Sequence, residues 1–139
     1  SKKTNLSRWW ICALPGTVFV YMVHGNWLLN IVTGKIKGEP SGVLIRAVEP
    51  LKGLEIMMKN RNVKEIKKLT SGPGKLTCAF GIAQYHTDLN VSELNSEIMV
   101  IKGKNDNIKI RSSHRIGVSK DLPQNLRFYI ADNKFVSKK

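Results

Sequence analysis

Short runs of β-branched and aromatic residues occupy the two ends of the chain, and helical spacing is confined to its middle. Residues 17 to 23 are rich in Val, Phe and Tyr, and residues 27 to 32 resume the pattern. Between them Gly25 and Asn26 are residue types that accept positive φ, so the two runs predict a β-hairpin. Thr33 to Ser41 reads as a loop, carrying Gly34, Gly38 and Pro40. Gly42 to Val48 is a further strand, ending where Pro50 discourages sheet pairing.

Leu54, Met57 and Met58 share a helical face within Leu51 to Arg61, and the Lys-rich stretch to Lys68 extends that helix or forms a second one. Thr70 to Lys75 is a turn leading into a short helix that carries Leu76, Phe80 and Ile82. Val91 to Glu97 predicts a one-turn helix with Ser92 as N-cap. Strands are expected at Ile98–Lys102, Ile108–Ser112, His114–Val118 and Leu126–Ile130, with a loop over Asp121–Asn125. The aggregate is an α+β fold: one domain over residues 1–139, a curved, mostly antiparallel sheet and packed helices. Strands of the first half would pair with those of the last third.

Charge narrows the partner. Twenty-three Lys and Arg against ten Asp and Glu give a net charge of +13 over 139 residues. Phosphates reward scattered cations through counterion release, so nucleic acid leads; lysines that merely keep a domain in solution are the alternative. No basic amphipathic helix suggests a membrane surface. Cys12 and Cys78 lack a Cys-x-x-Cys partner, which disfavours zinc and a disulfide framework and suits a reducing, intracellular setting. His24, Gly25, Asn26 and Asn30 break the longest apolar run, which is too short and polar for a membrane span. No signal peptide is evident, and the chain starts with Ser1.

Four blocks carry a resemblance: PGTVFVYMVHGNWLLNI, GVLIRAVEPLKGLEIM, LTSGPGKLTCAFGI, and HRIGVSKDLPQNLRFYI followed by FVS. In this order, over residues 15 to 137, the chain resembles the alkyladenine (3-methyladenine) DNA glycosylases of the mammalian type. The resemblance implies hydrolysis of the N-glycosidic bond of an alkylated or deaminated purine flipped out of duplex DNA, the first step of base-excision repair. Such an enzyme extrudes its nucleotide and must fill the gap left in the stack. It also implies a monomer working with DNA, without metal or cofactor.

Residue roles follow from the same resemblance. His24, at the hairpin apex, matches the family's aromatic wedge; imidazole is flat but smaller and can carry charge near neutral pH. Tyr21 matches the tyrosine stacked on the flipped base, where cation–π attraction favours a methylated purine. Asn30 matches an asparagine at the purine's edge that excludes the amino group of guanine, with a polar residue paired inside the sheet as the alternative. Asn26 and Trp27 match positions lining the minor groove, and Val118 a residue whose backbone meets the base or the water. Arg46 matches an arginine that helps hold the attacking water; an ion pair with Glu49 is the competing reading. Lys75 is either a phosphate ligand or a solvated lysine in a helix-initiating turn.

One family feature is absent. The family's general base is a glutamate in a Glu-x-Tyr segment N-terminal to the hairpin, with a histidine about ten residues on. Here the hairpin is preceded by SKKTNLSRWWICALPGT. A positioned base contributes roughly a hundred- to ten-thousand-fold. The expectation is therefore a domain lacking its N-terminal part, in which Glu49 is the nearest substitute. A DNA-binding relative deficient in catalysis is the alternative.

Overall fold

A computed structural model describes residues 13–34, 41–104 and 107–137. Strands β1 (Val18–Val23) and β2 (Asn26–Val32) form the expected hairpin, in register from Val18 opposite Ile31 to Val23 opposite Asn26. Its two-residue turn has φ of 47° at His24 and 75° at Gly25. Two positive φ values make a type I′ turn, whose twist matches that of the strands it joins. β3 (Gly42–Leu44) adds to β2, with Leu44 opposite Asn30.

The hairpin has two unlike faces. Val18, Val20 and Leu29, with Trp27 and Ile31, pack into a core completed by Leu76, Ile82 and Val91. The opposite face carries Phe19, Tyr21, Leu28 and Asn30, since Phe19 pairs with Asn30 and Tyr21 with Leu28. This second face is buried at its base, at Phe19 and Asn30, and opens towards the apex.

Helix α1 (Leu54–Arg61) starts after Gly53 and stops at Asn62, which adopts the left-handed conformation and donates its backbone N–H to the last turn. Helix α2 (Pro73–Phe80) begins with proline in its first turn and ends at Gly81 in the same left-handed cap. Met57, Leu69 and Ala79 form a second core between the helices. β4 (Ile110–Ser113) and β5 (Arg127–Ile130) pair antiparallel, Ile110 opposite Ile130. Among the described residues the fold is α+β, with two antiparallel sheets and two α-helices.

Several expectations are corrected. No strand of the first half pairs with one of the last third among the described residues. The free edge of β1 is already occupied: Val18 donates to Leu89 O (2.7 Å), Asp88 donates back to Val18 O (3.0 Å), and Val91 donates to Gly16 O (2.9 Å). With residues 87 to 91 on that edge, 98–102 takes no strand and is tied there by the backbone bond from Val100 N to Val91 O (2.9 Å). Residues 91–97 form turns and not a helix, because the Asn90 side chain accepts from the Ser92 N–H (2.9 Å) in a local turn. The Lys-rich stretch holds only a 3₁₀ turn at Ile66–Lys68, since Asn62 has ended α1.

His114–Val118 is not a strand either. Gly117 has φ of 77°, and the segment wraps around the Asp121 carboxylate. β3 is shorter than the expected Gly42–Val48, although Ile45 N still donates to Leu29 O (3.0 Å). Cys12 and most of the expected loop before Ser41 lie outside the described residues.

Candidate nucleic-acid interface

The apex of the β1–β2 hairpin is exposed from Met22 to Asn26 and ends in His24, the one non-glycine residue of the turn proper. A non-glycine side chain at positive φ is uncommon, and here it projects at the tip of a two-stranded arm. Tyr21 lies further inward on the open face. Its ring stacks on Phe19, with centroids 5.5 Å apart and planes 28° from parallel. A half-buried tyrosine stacked on a buried phenylalanine is restrained in orientation.

Asn30 is 4% exposed. Its side-chain amide donates to Leu28 O at 3.2 Å and to Phe19 O at 3.4 Å. The amide is therefore held by the sheet, as the competing reading of the sequence expected. Because both its hydrogens are directed to backbone carbonyls, the side chain becomes a rigid wall at the foot of the Tyr21 face.

Asn26 and Trp27 do different things. Trp27 packs against the core cluster that holds Val18, Leu29 and Leu76, as a hairpin aromatic does. Asn26 sits at the exposed start of β2, donates Nδ2 to His24 O at 3.1 Å, and lies against Gly74 of α2. The exposed Lys75 follows directly, so the fold brings the hairpin apex and the first turn of α2 together.

Arg46 follows β3 and is half-buried, next to Ile45, which packs on the core. Burial, and then the neighbouring Arg127 guanidinium, push its pKa below the usual guanidinium value. Among the described residues no carboxylate forms an ion pair with it. Glu49, the partner considered from sequence, accepts instead from Asn133 Nδ2 at 2.8 Å. Arg127 is buried, donates Nη1 to Ser113 Oγ at 2.9 Å and lies 4.5 Å from the Tyr129 ring centroid. Sequence reasoning missed Arg127, although in LRFYI it carries the same signal as Arg46, a cation set among apolar strand residues.

Val118 lies in the 114–122 loop and is exposed. No described contact joins it to Tyr21 or Asn30. The loop is held by Asp121, which accepts from Arg115 N (2.8 Å), Arg115 Nε (2.6 Å) and Leu122 N (2.9 Å). The Arg115 hydrogen bond, foremost, holds the Asp121 carboxyl below its ordinary value.

None of the described Asp and Glu residues is buried. Among the described residues no group of three or more His, Cys, Asp or Glu is placed to hold a metal. No described helix is long and apolar enough to cross a membrane. A surface depression of about 410 Å³ lies on α1, lined by Glu55, Met58, Asn62, Val63 and Lys64, and includes none of the residues singled out from sequence.

Comparison with known proteins matches residues 2–134 to the family described as Methylpurine-DNA glycosylase (MPG). A relative named "Putative 3-methyladenine DNA glycosylase" from Salinibacter ruber is 43% identical over 128 residues, covering 90% of this chain and 60% of that protein. Its namesake from Oceanobacillus iheyensis is 40% identical over 129 residues, covering 89% of this chain and 62% of that protein. One from Francisella tularensis subsp. tularensis is 40% identical over 131 residues, covering 91% and 67%. The chain thus spans 60% to 67% of the length of these relatives.

Proposed function

The chain belongs to the methylpurine-DNA glycosylase family, and from that membership we propose that it acts in DNA repair. The complete protein flips an alkylated or deaminated purine out of duplex DNA and hydrolyses its N-glycosidic bond, acting wherever the DNA is. The observation that carries this reading is the hairpin: an exposed type I′ apex bearing His24, above a face with Tyr21 stacked on Phe19 and Asn30 held rigid.

Each residue has a part. His24 enters the minor groove and fills the space of the extruded nucleotide. Tyr21 stacks on the flipped base, and an electron-poor methylated purine gains most from that π-face. Asn30 limits the pocket at the purine edge; because its amide is fixed, it cannot swing aside for the extra amino group of guanine. Asn26, Lys75 and the Trp27 backbone flank the groove, and Val118 offers backbone groups towards the base or the water. Arg46 supplies a cation with no acidic partner among the described residues, suited to the DNA backbone and to orienting the attacking water.

No described carboxylate is set apart by burial, and Glu49 is engaged with Asn133. We therefore assign the general base to none of the described carboxylates, and propose that it lies in the length by which the relatives exceed this chain. The chemistry is direct hydrolysis: water adds at the anomeric carbon as the bond to the purine nitrogen breaks and its electron pair leaves with the purine. The water's proton passes to the general base, a cationic methylated purine departs neutral, and hypoxanthine takes up a proton from solvent to leave as the free base.

The test is release of free hypoxanthine from a duplex containing deoxyinosine. The complete protein, with its natural flanking sequence, should release it, and the 139-residue chain should release at least roughly a hundred-fold less, the low end of a general base's contribution. Failure of the complete protein to release any base, while still preferring lesion duplex, would leave the binding relative as the correct reading.

A further inference from the structure

The hairpin apex is not a free arm. Gly74, in the first turn of α2, faces the side chain at the start of β2: a Cβ on Gly74 would lie 2.7 Å from Asn26 Oδ1 and 2.8 Å from its Cβ and Cγ. No real Cβ tolerates such distances, so glycine is required here by close approach. One helical turn on, Thr77 is 1% exposed and donates Oγ1 to Trp27 O at 2.7 Å. Asn26 in turn donates to His24 O. A continuous path of contacts thus runs from α2 through two residues of β2 to the residue at the tip.

We propose that Gly74 and Thr77 are positioning residues that fix the His24 apex relative to the Lys75 turn of α2. The inference rests on the lesion-recognition reading above, because it assigns these residues to the step in which the tip and the Lys75 turn engage DNA together. Two attachment points on one duplex must keep a fixed separation, and a displacement of about 1 Å is enough to impair a site whose groups act together. A two-stranded ribbon alone twists and bends too readily to hold it. Docking β2 on a helix that starts at proline and ends in a left-handed cap gives the tip a rigid base.

The experiment compares affinity for a duplex containing an abasic-site analogue with affinity for the same duplex undamaged, in the protein with its natural flanking sequence. Four forms are needed: wild type, Gly74→Ala, Thr77→Val, and Met57→Ala, which weakens the separate core between the helices. Gly74→Ala and Thr77→Val should each reduce the preference for the abasic duplex on the order of ten-fold. Binding to undamaged duplex, dominated by scattered cations, should change less than about two-fold. Met57→Ala should lower the melting temperature and leave the preference intact.

Retention of the preference by both Gly74→Ala and Thr77→Val overturns the positioning role and leaves lesion recognition standing. Equal loss in Met57→Ala also overturns it, by showing that any loss of stability suffices. Wild type without preference overturns the recognition reading, and the positioning role with it. Should Gly74→Ala not fold, Thr77→Val, which exchanges the hydroxyl for a methyl of similar size, carries the comparison.

Discussion

Asn30 donates its side-chain amide to the carbonyl of Leu28, two residues back on its own strand, at 3.2 Å. With the second bond to Phe19 across the hairpin, the residue locks the floor of the Tyr21 face into the sheet. Aspartate at this site keeps the shape and loses both donors, placing a carboxylate against two carbonyls. Asn30→Asp is expected to destabilise the fold by about 2–4 kcal/mol at neutral pH. Thermal or urea unfolding measures it, and a loss below about 0.5 kcal/mol would show that the amide bonds contribute nothing.

His24 sits at φ 47°, a conformation that asparagine accepts more readily than histidine. His24→Asn creates the Asn-Gly pair favoured in type I′ turns and should raise stability by a few tenths of a kcal/mol. The same change removes the ring. Affinity for an abasic-analogue duplex should fall at least about five-fold, the lower end of base–aromatic stacking at ~1–3 kcal/mol. Opposite signs for stability and binding are the signature of a residue kept for recognition; a fall in both would assign His24 to the turn alone.

Arg46 is desolvated beside a second guanidinium, so its charge opposes folding of the free protein and is relieved only by an anion. Arg46→Gln should leave the melting temperature unchanged or slightly higher. Duplex affinity should fall, and the slope of log affinity against log salt should become shallower by about one unit. A clear drop in melting temperature with an unchanged salt slope would instead assign Arg46 a structural partner.

Asp121 organises the loop that carries Val118. Its pKa is lowered in the folded state, so its contribution is present above the ordinary value of 3.8 and is lost as pH falls through the lowered value. The backbone N–H groups of Arg115 and Leu122, which donate to its carboxylate, should keep their exchange protection at about pH 5 and lose it in strongly acidic solution. Asp121→Asn should reduce that protection at the same pH and remove its acid dependence. Hydrogen exchange read by NMR distinguishes these outcomes.

Local chemistry makes the hairpin legible in the sequence. β-Branched and aromatic runs flanking a glycine admit few other arrangements, and the core face alternates as the strand period requires. The two helices are legible from their spacing and from Gly-Pro-Gly, and the charge of +13 indicates a polyanion. Asn62 at φ 49° ends α1 where the Lys-rich pattern suggests continuation, because a left-handed cap costs asparagine little and its sequence signal is weak.

Pairing between distant segments is not legible. Residues 87 to 91 have no strand pattern, yet they take the edge of β1 through Leu89, Val91 and Thr87, whose Oγ1 accepts from Val20 N at 3.1 Å. That occupation keeps the C-terminal strands in a sheet of their own. The side-chain contacts that matter most for the site are of the same kind: Gly74 against Asn26, Thr77 on Trp27 O, and Arg127 beside Arg46. Residue identity and spacing along the chain set which conformations each segment prefers. Which segments then meet depends on competition for shared edges and faces, a property of the packed molecule that no local stretch carries.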